Sequence, residues 1–332
     1  MGEIIFSVNS QLRSYIFLVS VLVILFVTGI FLSPRFLSTS NLSNWLLYLS
    51  VLGILAIGET FVLLVGEVDL SVGSVMASSM MIGVLLTGLI GQVIGTQFIA
   101  PGSLVTGGSV FLIVITIGAA TLIGSTNGFM VVKIGIPSLI VTLGWLYIGR
   151  ALAYMLSGGH QYFLTQLDAF RWFGKGTILG IPVPFVIFAL LSLISWAVLR
   201  LTVLGTHYYA TGGNIDAARE AGINVDTLRI GAFVYSGFLA GVAGVIYSAQ
   251  LASAAPQQAE GYALQAIAIA LLGGTTLRGG QGGIVKTFLA AMIVGLLTNI
   301  LGLVGSRPWH INIIMGLIIV SSQLLYTMRG SE

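Results

Sequence analysis

The feature that most constrains the fold is a series of long apolar segments separated by short polar connections. An α-helix needs roughly 20 mostly apolar residues to cross a bilayer, and about ten segments approach this length. They span residues 15–32, 44–65, 72–94, 109–132, 136–156, 181–199, 230–252, 260–274, 284–304 and 311–328. The sequence therefore predicts an all-α polytopic membrane protein in which residues 1–332 form a single transmembrane domain.

Composition supports this class and excludes several others. Hydrophobic residues make up 57% of the 332 residues and charged residues only 7%, whereas a soluble domain carries about 25% charged residues. The chain has no cysteine, and its histidines, His160, His207 and His310, are far apart. We therefore expect no metal site and no bound cofactor. The net charge of +3 is small and scattered, which argues against nucleic-acid binding.

The positions of lysine and arginine predict an orientation, because these residues concentrate on the cytoplasmic side. With a cytoplasmic N-terminus, eight of the 13 fall at or near the inner side: Arg13, Lys133, Arg200, Arg219, Arg229, Arg278, Lys286 and Arg329. Both termini are then cytoplasmic, and the connections 95–108 and 157–180 lie outside. Arg150 lies within a span, and we expect it to reach outward to Asp168. The protein is predicted to be a multi-pass protein of the cell (inner) membrane.

The inner connection 200–229 contains a short helix with a signal at each end. Asn214 is a good N-cap, Asp216 suits the first turn, and Gly222 is a natural stop residue, which brackets a helix over 215–221. An isolated helix of this length is unstable in water, so it needs a surface to pack on. From these residues alone, the surface is either a cytoplasmic partner or the protein's own inner face.

Three short segments of this connection carry a resemblance to a known family. Ala210-Thr-Gly-Gly-Asn214, followed by Ala217-Ala-Arg219 and Ala221-Gly-Ile-Asn224, resembles the coupling loop of ribose-type ABC sugar permeases. In that family the short helix of this loop fits a groove of the ATP-binding subunit. The resemblance implies a docking role for seven residues: Gly212, Gly213, Asn214, Ala217, Ala218, Arg219 and Gly222.

Polar residues interrupt the second and third apolar segments around Asp69. A charged residue at the bilayer centre costs about 2.5–3.5 kcal/mol on insertion scales, so these residues need a structural or a functional reason. Asp69 either caps the next helix, accepting from Ser71 or Val72, or lines a translocation path. Glu59 is the better candidate for a buried functional carboxylate. Ser71 and the amides Asn127 and Asn299 are further path candidates, although such amides often serve only to hold helices together.

The same resemblance extends to two more segments. Asp69-Leu-Ser-Val-Gly-Ser74 is similar to the signature after the second span of sugar permeases, but Gly66-Glu67 stands where Gly-Gly is common. The stretch 272–283 resembles a late glycine-rich segment of the family, and it is either a bend that lets helices pack or an anion-binding nest. Just before it, Ala263 and Gln265 replace the acids usual in the family.

The resemblance covers nearly the whole chain and implies the fold of a type II ABC importer permease, a transport subunit rather than an enzyme. It implies import of a monosaccharide, with two permease subunits, identical or different, ATP-binding subunits that hold the ATP, and an extracytoplasmic binding protein. The sequence contains no Walker A motif, in line with ATP hydrolysis by a separate chain. Two alternatives remain: a related permease for nucleosides or branched-chain amino acids, and an ion-coupled transporter using Glu59 and Asp69.

Overall fold

Helices form most of the chain in the computed structural model, which describes residues 2–93, 108–165 and 167–329. The helices are α1 (Gly2–Leu32), α2 (Thr39–Leu64), α3 (Val72–Val93), α4 (Ser109–Phe129, continued by a π-helical turn, Met130–Ile134), α5 (Ser138–Ser157), α6 (Asp168–Lys175), α7 (Val183–Leu201), α8 (Val203–Gly213), α9 (Ile215–Glu220), α10 (Val225–Leu251), α11 (Tyr262–Leu272), α12 (Ile284–Leu303) and α13 (Pro308–Arg329). Four two-residue strands, β1 (Tyr162–Phe163), β2 (Thr177–Ile178), β3 (Ile181–Pro182) and β4 (Ser253–Ala254), complete these elements. The predicted outer connection 95–108 lies outside the described residues except for Gly108.

The spanning helices match the predicted apolar segments closely. Within the described residues, eight helices are long and apolar enough to cross a membrane. The remaining two predicted segments correspond to α11, which has only 11 residues, and to α13, whose apolar part covers Trp309–Ser321. Two further helices were not predicted: α6 in the 157–180 connection and α8 at the start of the 200–229 connection.

The second helix, α2, forms the centre of the bundle. Every residue from Leu49 to Val65 is buried, and α2 contacts α7, α10, α11 and α12. Such a helix is apolar on all sides because it faces protein on all sides. By contrast, α1 exposes most of the large apolar side chains between Leu12 and Leu32, as expected of a helix at the outside of a bundle in lipid.

Close packing between α4 and α10 depends on facing glycines. A Cβ atom at Gly124 would lie 2.4 Å from the Phe233 carbonyl oxygen, and one at Gly237 would lie 2.6 Å from the Ala120 carbonyl oxygen. These separations leave no room for a side chain, so the two backbones touch. Small residues at helix interfaces permit this approach in membranes, where association depends on van der Waals packing.

The segment between α10 and α11 returns into the bundle without being helical. Its strand β4 pairs with β1 in an antiparallel arrangement that places Tyr162 opposite Ala254. Further along, the carbonyl oxygen of Ala259 lies 2.6 Å from the position that a Cβ atom of Gly73 would take, near the start of α3. Irregular backbone at membrane depth is tolerated where it is buried in protein or lines a watery cavity.

The glycine contact between α4 and α10 generates a prediction. Gly124→Ala should lower the free energy of unfolding by about 1–3 kcal/mol, because the new methyl group overpacks a backbone contact. Gly118→Ala is the matched control on the same helix, since a Cβ atom there would have nothing within 4 Å. Unfolding of the purified protein in detergent measures both variants, and an equal loss in the two would contradict the packing argument.

Candidate functional site

The predicted path residues around Asp69 form one buried network. One carboxylate oxygen of Asp69 accepts from the Ser71 N–H at 2.9 Å and the Ser71 hydroxyl at 2.5 Å, and the other accepts from Ser236 of α10 at 3.0 Å. The Asn127 amide of α4 donates to the Ser71 hydroxyl at 2.9 Å. Asp69 therefore caps α3, as one interpretation of the sequence expected, and the network also joins α3 to α4 and α10.

Glu59 lies on α2, next to this network, but its carboxyl group takes no part in the network's hydrogen bonds. The side chain is fully buried, and neither oxygen has a hydrogen-bond partner among the described residues. It is close enough to Asp69 for the two carboxyl groups to interact electrostatically. Burying an unpartnered carboxylate is costly, so the contacts seen here do not explain why Glu59 is at this position.

Asn299 is separate from the Asp69 network. Its amide exchanges two hydrogen bonds with the amide of Asn41, at 2.9 and 3.0 Å, which joins α12 to α2. Both amides line a cavity of about 250 Å³ that Trp45 and Tyr48 also border. The structure thus gathers Glu59, Asp69, Ser71 and Asn127 in one place and leaves Asn299 in another, and the proposed path role of all five stays a prediction.

The helix α9 has the predicted position and cap. The Asn214 side chain accepts from the N–H groups of Asp216 and Ala217, each at 3.0 Å, and Gly222 follows with φ of +81°. Ala218 faces inward with 4% of its surface exposed, so the helix packs on the protein's own surface. The other predicted docking residues on and next to the helix face outward: Gly213, Asn214, Ala217, Arg219 and Gly222.

Gly212 differs from the adjacent Gly213, because Gly212 lies inside the protein, where α8 meets the end of α2 and the glycine-rich bend. A Cβ atom at Gly212 would lie 1.7 Å from the Leu64 carbonyl oxygen and 2.3 Å from the Gly280 nitrogen, whereas one at Gly213 would have nothing within 4 Å. The Gly280 N–H donates to the Leu64 carbonyl at 2.9 Å. The glycine-rich bend therefore packs the end of α2 against the end of α8, and its Gly280 amide is used in that contact rather than in an anion nest.

A tyrosine holds the other side of the same bend. The Tyr209 hydroxyl of α8 donates to the Gly282 carbonyl at 3.1 Å. Burial raises the pKa of Tyr209 above its usual value of 10.0, so the hydroxyl stays protonated and continues to donate at neutral pH. Two contacts, one from backbone and one from a side chain, thus attach α8 to the bend.

The carboxylate that departs from the family pattern has a specific partner. Glu67, in the turn between α2 and α3, accepts from two nitrogens of the Arg229 guanidinium, with the Nε contact at 2.9 Å. The side chains are only 10% and 19% exposed. Such a two-point contact fixes geometry as well as charge, and it joins the α2–α3 turn to the first turns of α10. Sequence reasoning noted Glu67 but did not find its partner.

Arg150 does not reach Asp168 as expected. Its guanidinium donates instead to the carbonyl oxygens of Pro256 and Gln258, the latter at 2.8 Å, and Asp168 pairs with Arg171 at 3.5 Å. The prediction was wrong because the re-entering segment 252–261 presents bare carbonyls at the depth of Arg150. Those carbonyl oxygens need donors, and the partly buried guanidinium gains more by donating to them than by reaching the exposed Asp168 carboxylate.

The re-entering segment also borders a cleft that sequence reasoning missed. The cleft has a volume of about 470 Å³ and lies between the end of α10 and the start of α11. Its wall includes Gln161, Tyr247, Leu251, Ser253, Ala255, Gln257, Gln258, Ala259, Glu260 and Tyr262. The only signal in the sequence was a group of polar residues, Gln257, Gln258 and Glu260, at the start of the predicted apolar segment 260–274.

Comparisons with known proteins place this architecture in a family. The family model described as branched-chain amino acid transport system / permease component matches residues 41–322. The chain therefore belongs to this family of transport-system permeases: it is a multi-pass membrane protein and a transport component rather than an enzyme. No solved structure matches the chain.

Three relatives have names that are more specific than the family description. The chain is 36% identical to the ribose import permease protein RbsC of Escherichia coli strain K12 over 311 residues, 93% of this chain and 92% of that protein. It is 34% identical to RbsC of Bacillus subtilis strain 168 over 309 residues, covering 92% and 90% of the two chains. It is 31% identical to the L-arabinose ABC transporter permease protein AraH of Azospirillum brasilense over 323 residues, covering 95% and 88%.

The Glu67–Arg229 pair generates a second prediction. Glu67→Gln should lower the free energy of unfolding by about 2–3 kcal/mol, because it leaves the guanidinium largely buried without its partner. The double variant Glu67→Gln/Arg229→Gln should recover part of that loss, since no unpaired charge remains. Unfolding in detergent measures all variants.

An exposed ion pair supplies the control for this experiment. Lys133 and Asp226 lie 2.7 Å apart, with side chains 49% and 34% exposed, and Lys133→Gln should cost less than about 1 kcal/mol. The single variant Arg229→Gln completes the set. If the Glu67→Gln/Arg229→Gln double variant loses as much stability as the two single variants added together, the interpretation that the two charges depend on each other is refuted.

Proposed function

We propose that the chain is the membrane permease subunit of an ATP-driven importer that translocates a neutral monosaccharide, a pentose or a hexose. The observation that carries the proposal is α9, a capped helix of six residues that rests on the inner face and presents most of its surface outward. Such a helix offers a cytoplasmic ATP-binding subunit a defined contact. An extracytoplasmic binding protein delivers the sugar on the other side, and the sugar crosses beside a second permease subunit, identical or different.

The names of the relatives support a sugar rather than an amino acid. They include permeases for ribose, D-allose, L-arabinose and xylose/arabinose, although the family description refers to branched-chain amino acids. The chemistry of the described polar sites agrees with a neutral substrate. Asn41 and Asn299 line a cavity with uncharged amides that hydrogen-bond to each other, and Asn299 keeps one N–H and one oxygen lone pair beyond that pairing, which can donate to or accept from a hydroxyl group.

The contacts of the α9 region support coupling to movement inside the membrane. Arg219 lies 3.4 Å from Asp226 in the first turn of α10, and Gly212 contacts the ends of α2 and the glycine-rich bend. A push on α9 by closing ATP-binding subunits would therefore reach α2, α10 and the bend directly. Alternating access of the substrate path follows from rearrangement of those helices.

The docking role of α9 generates a third prediction. Gly213→Asp or Arg219→Glu should leave the permease in the membrane and abolish its co-purification with the ATP-binding subunit. Both positions are exposed, so the changes alter the docking surface and leave the core intact. Asp168→Lys, an equally large charge change on an exposed residue of α6, should leave co-purification unchanged. Intact co-purification of both α9 variants would refute the docking role.

The energy source generates a fourth prediction. In proteoliposomes containing the permease, its ATP-binding subunit and its binding protein, sugar uptake should require ATP and survive a proton uncoupler. The competing ion-coupled mechanism has one supporting observation, the buried and unpartnered Glu59, since intramembrane carboxylates often couple ion movement. Uptake that needs no ATP-binding subunit and stops when the proton gradient collapses would establish that mechanism instead.

A further inference from the structure

The cleft between α10 and α11 has a fixed shape. Strand β4 is tied to β1, and the Gln258 amide donates to the Ser253 carbonyl at 2.9 Å while accepting from Ser248 at 3.1 Å. Arg150 holds two carbonyls of the same segment from the side of α5. With its backbone satisfied in this way, the segment 252–261 forms a preformed wall, and a preformed wall lowers the entropic cost of binding.

The wall presents two kinds of chemical group to the cleft. The rings of Tyr247 and Tyr262 lie 5.5 Å apart with an angle of 53° between them, and both are partly buried. Gln161, Gln257 and Glu260 are exposed, so their polar groups face the space. Aromatic faces suit the C–H faces of a sugar ring, and amides and a carboxylate suit its hydroxyl groups. The volume of about 470 Å³ falls within the range of small-molecule sites.

Charge in the cleft discriminates between substrates. No lysine, arginine or histidine lines it in the part of the chain that the structure describes. The nearby Arg150 donates to backbone carbonyls and also interacts electrostatically with the Glu260 carboxylate. An amino acid is a zwitterion: its ammonium group could pair with the Glu260 carboxylate, but its own carboxylate would find no cation in the lining and would be desolvated without a partner. A neutral sugar brings no such charge into the cleft.

We propose that this cleft is a sugar-binding subsite of the permease itself, in which the Tyr247 and Tyr262 rings pack against the sugar and Gln257 and Glu260 bind its hydroxyl groups. The subsite receives sugar on its way into the membrane from the side where α10 ends. The inference rests on the proposed function, because it names a binding site for the same transported substrate. It is independent of how α9 docks.

The test uses the double variant Gln257→Ala/Glu260→Ala in the complete transporter, with the permease, ATP-binding subunit and binding protein in proteoliposomes. Both side chains are exposed, so folding should not depend on them. The probes are radiolabelled D-ribose, D-allose, L-arabinose and D-xylose. With the wild-type protein, at least one sugar should enter with ATP, and the double variant should take it up roughly tenfold more slowly, as expected for the loss of two hydrogen-bonding groups.

Two controls make the result specific. Asp168→Asn removes an exposed carboxylate on α6 that does not line the cleft, and it should leave uptake unchanged. Saturation-transfer NMR on the permease alone in nanodiscs should show contact with the transported sugar, should lose it in the double variant, and should show none with L-leucine.

The outcomes separate this inference from the proposed function. Wild-type uptake that the double variant leaves unchanged overturns the subsite and keeps the sugar importer. Absence of ATP-driven uptake for all four sugars overturns both. Wild-type contact with L-leucine that equals contact with the sugar overturns the argument from charge and, with it, the assignment of the subsite to sugar.

Discussion

The structure depends on one constraint: inside a bilayer, a break in a helix must satisfy its own backbone hydrogen-bonding groups. Among the described residues, three of the helix breaks have different solutions. Before α3, the Asp69 carboxylate accepts from the freed N–H of Ser71. Before α11, the Arg150 guanidinium donates to two freed carbonyls. After α11, the Gly280 N–H donates to the Leu64 carbonyl. Two of the charged groups that are costly in an apolar chain, Asp69 and Arg150, are therefore explained by these breaks.

Polar residues that close helix breaks must be distinguished from polar residues that can bind a ligand. Asp69, Ser71 and the Asn127 amide nitrogen join three helices, so the fold already explains Asp69 and Ser71 in apolar segments, whereas the buried Asn127 side-chain oxygen has no hydrogen-bond partner among the described residues. Exposed groups such as Gln257 and Glu260 make no such hydrogen bonds among the described residues, although Glu260 interacts electrostatically with Arg150, and they are more accessible to a ligand. Freedom from internal contacts therefore indicates function better here than depth in the membrane does.

Much of the fold was predictable because its signals are local. Long apolar segments predict spanning helices, and the caps at Asn214 and Asp69 depend on residues only two or three positions away. The failures involve distant partners. Glu67 pairs with a residue 162 positions along the chain, and Arg150 binds carbonyls more than 100 positions away, which no periodicity encodes. Helix α8 was missed because its apolar residues are spread around the helix and glycines end it. The cleft was missed because it exists only once the segment 252–261 turns back.

The junction of Gly212, Gly280 and Leu64 has a mechanical consequence. Three chain segments meet there through backbone atoms alone, at distances that exclude even a methyl group. Side chains can absorb a displacement by changing rotamer, but peptide planes in contact cannot. A shift of α8 by a fraction of an ångström must therefore move α2 and the glycine-rich bend by a similar amount. The absence of side chains makes this joint stiff, so a small force on α8 would reach the bundle centre with little loss of displacement.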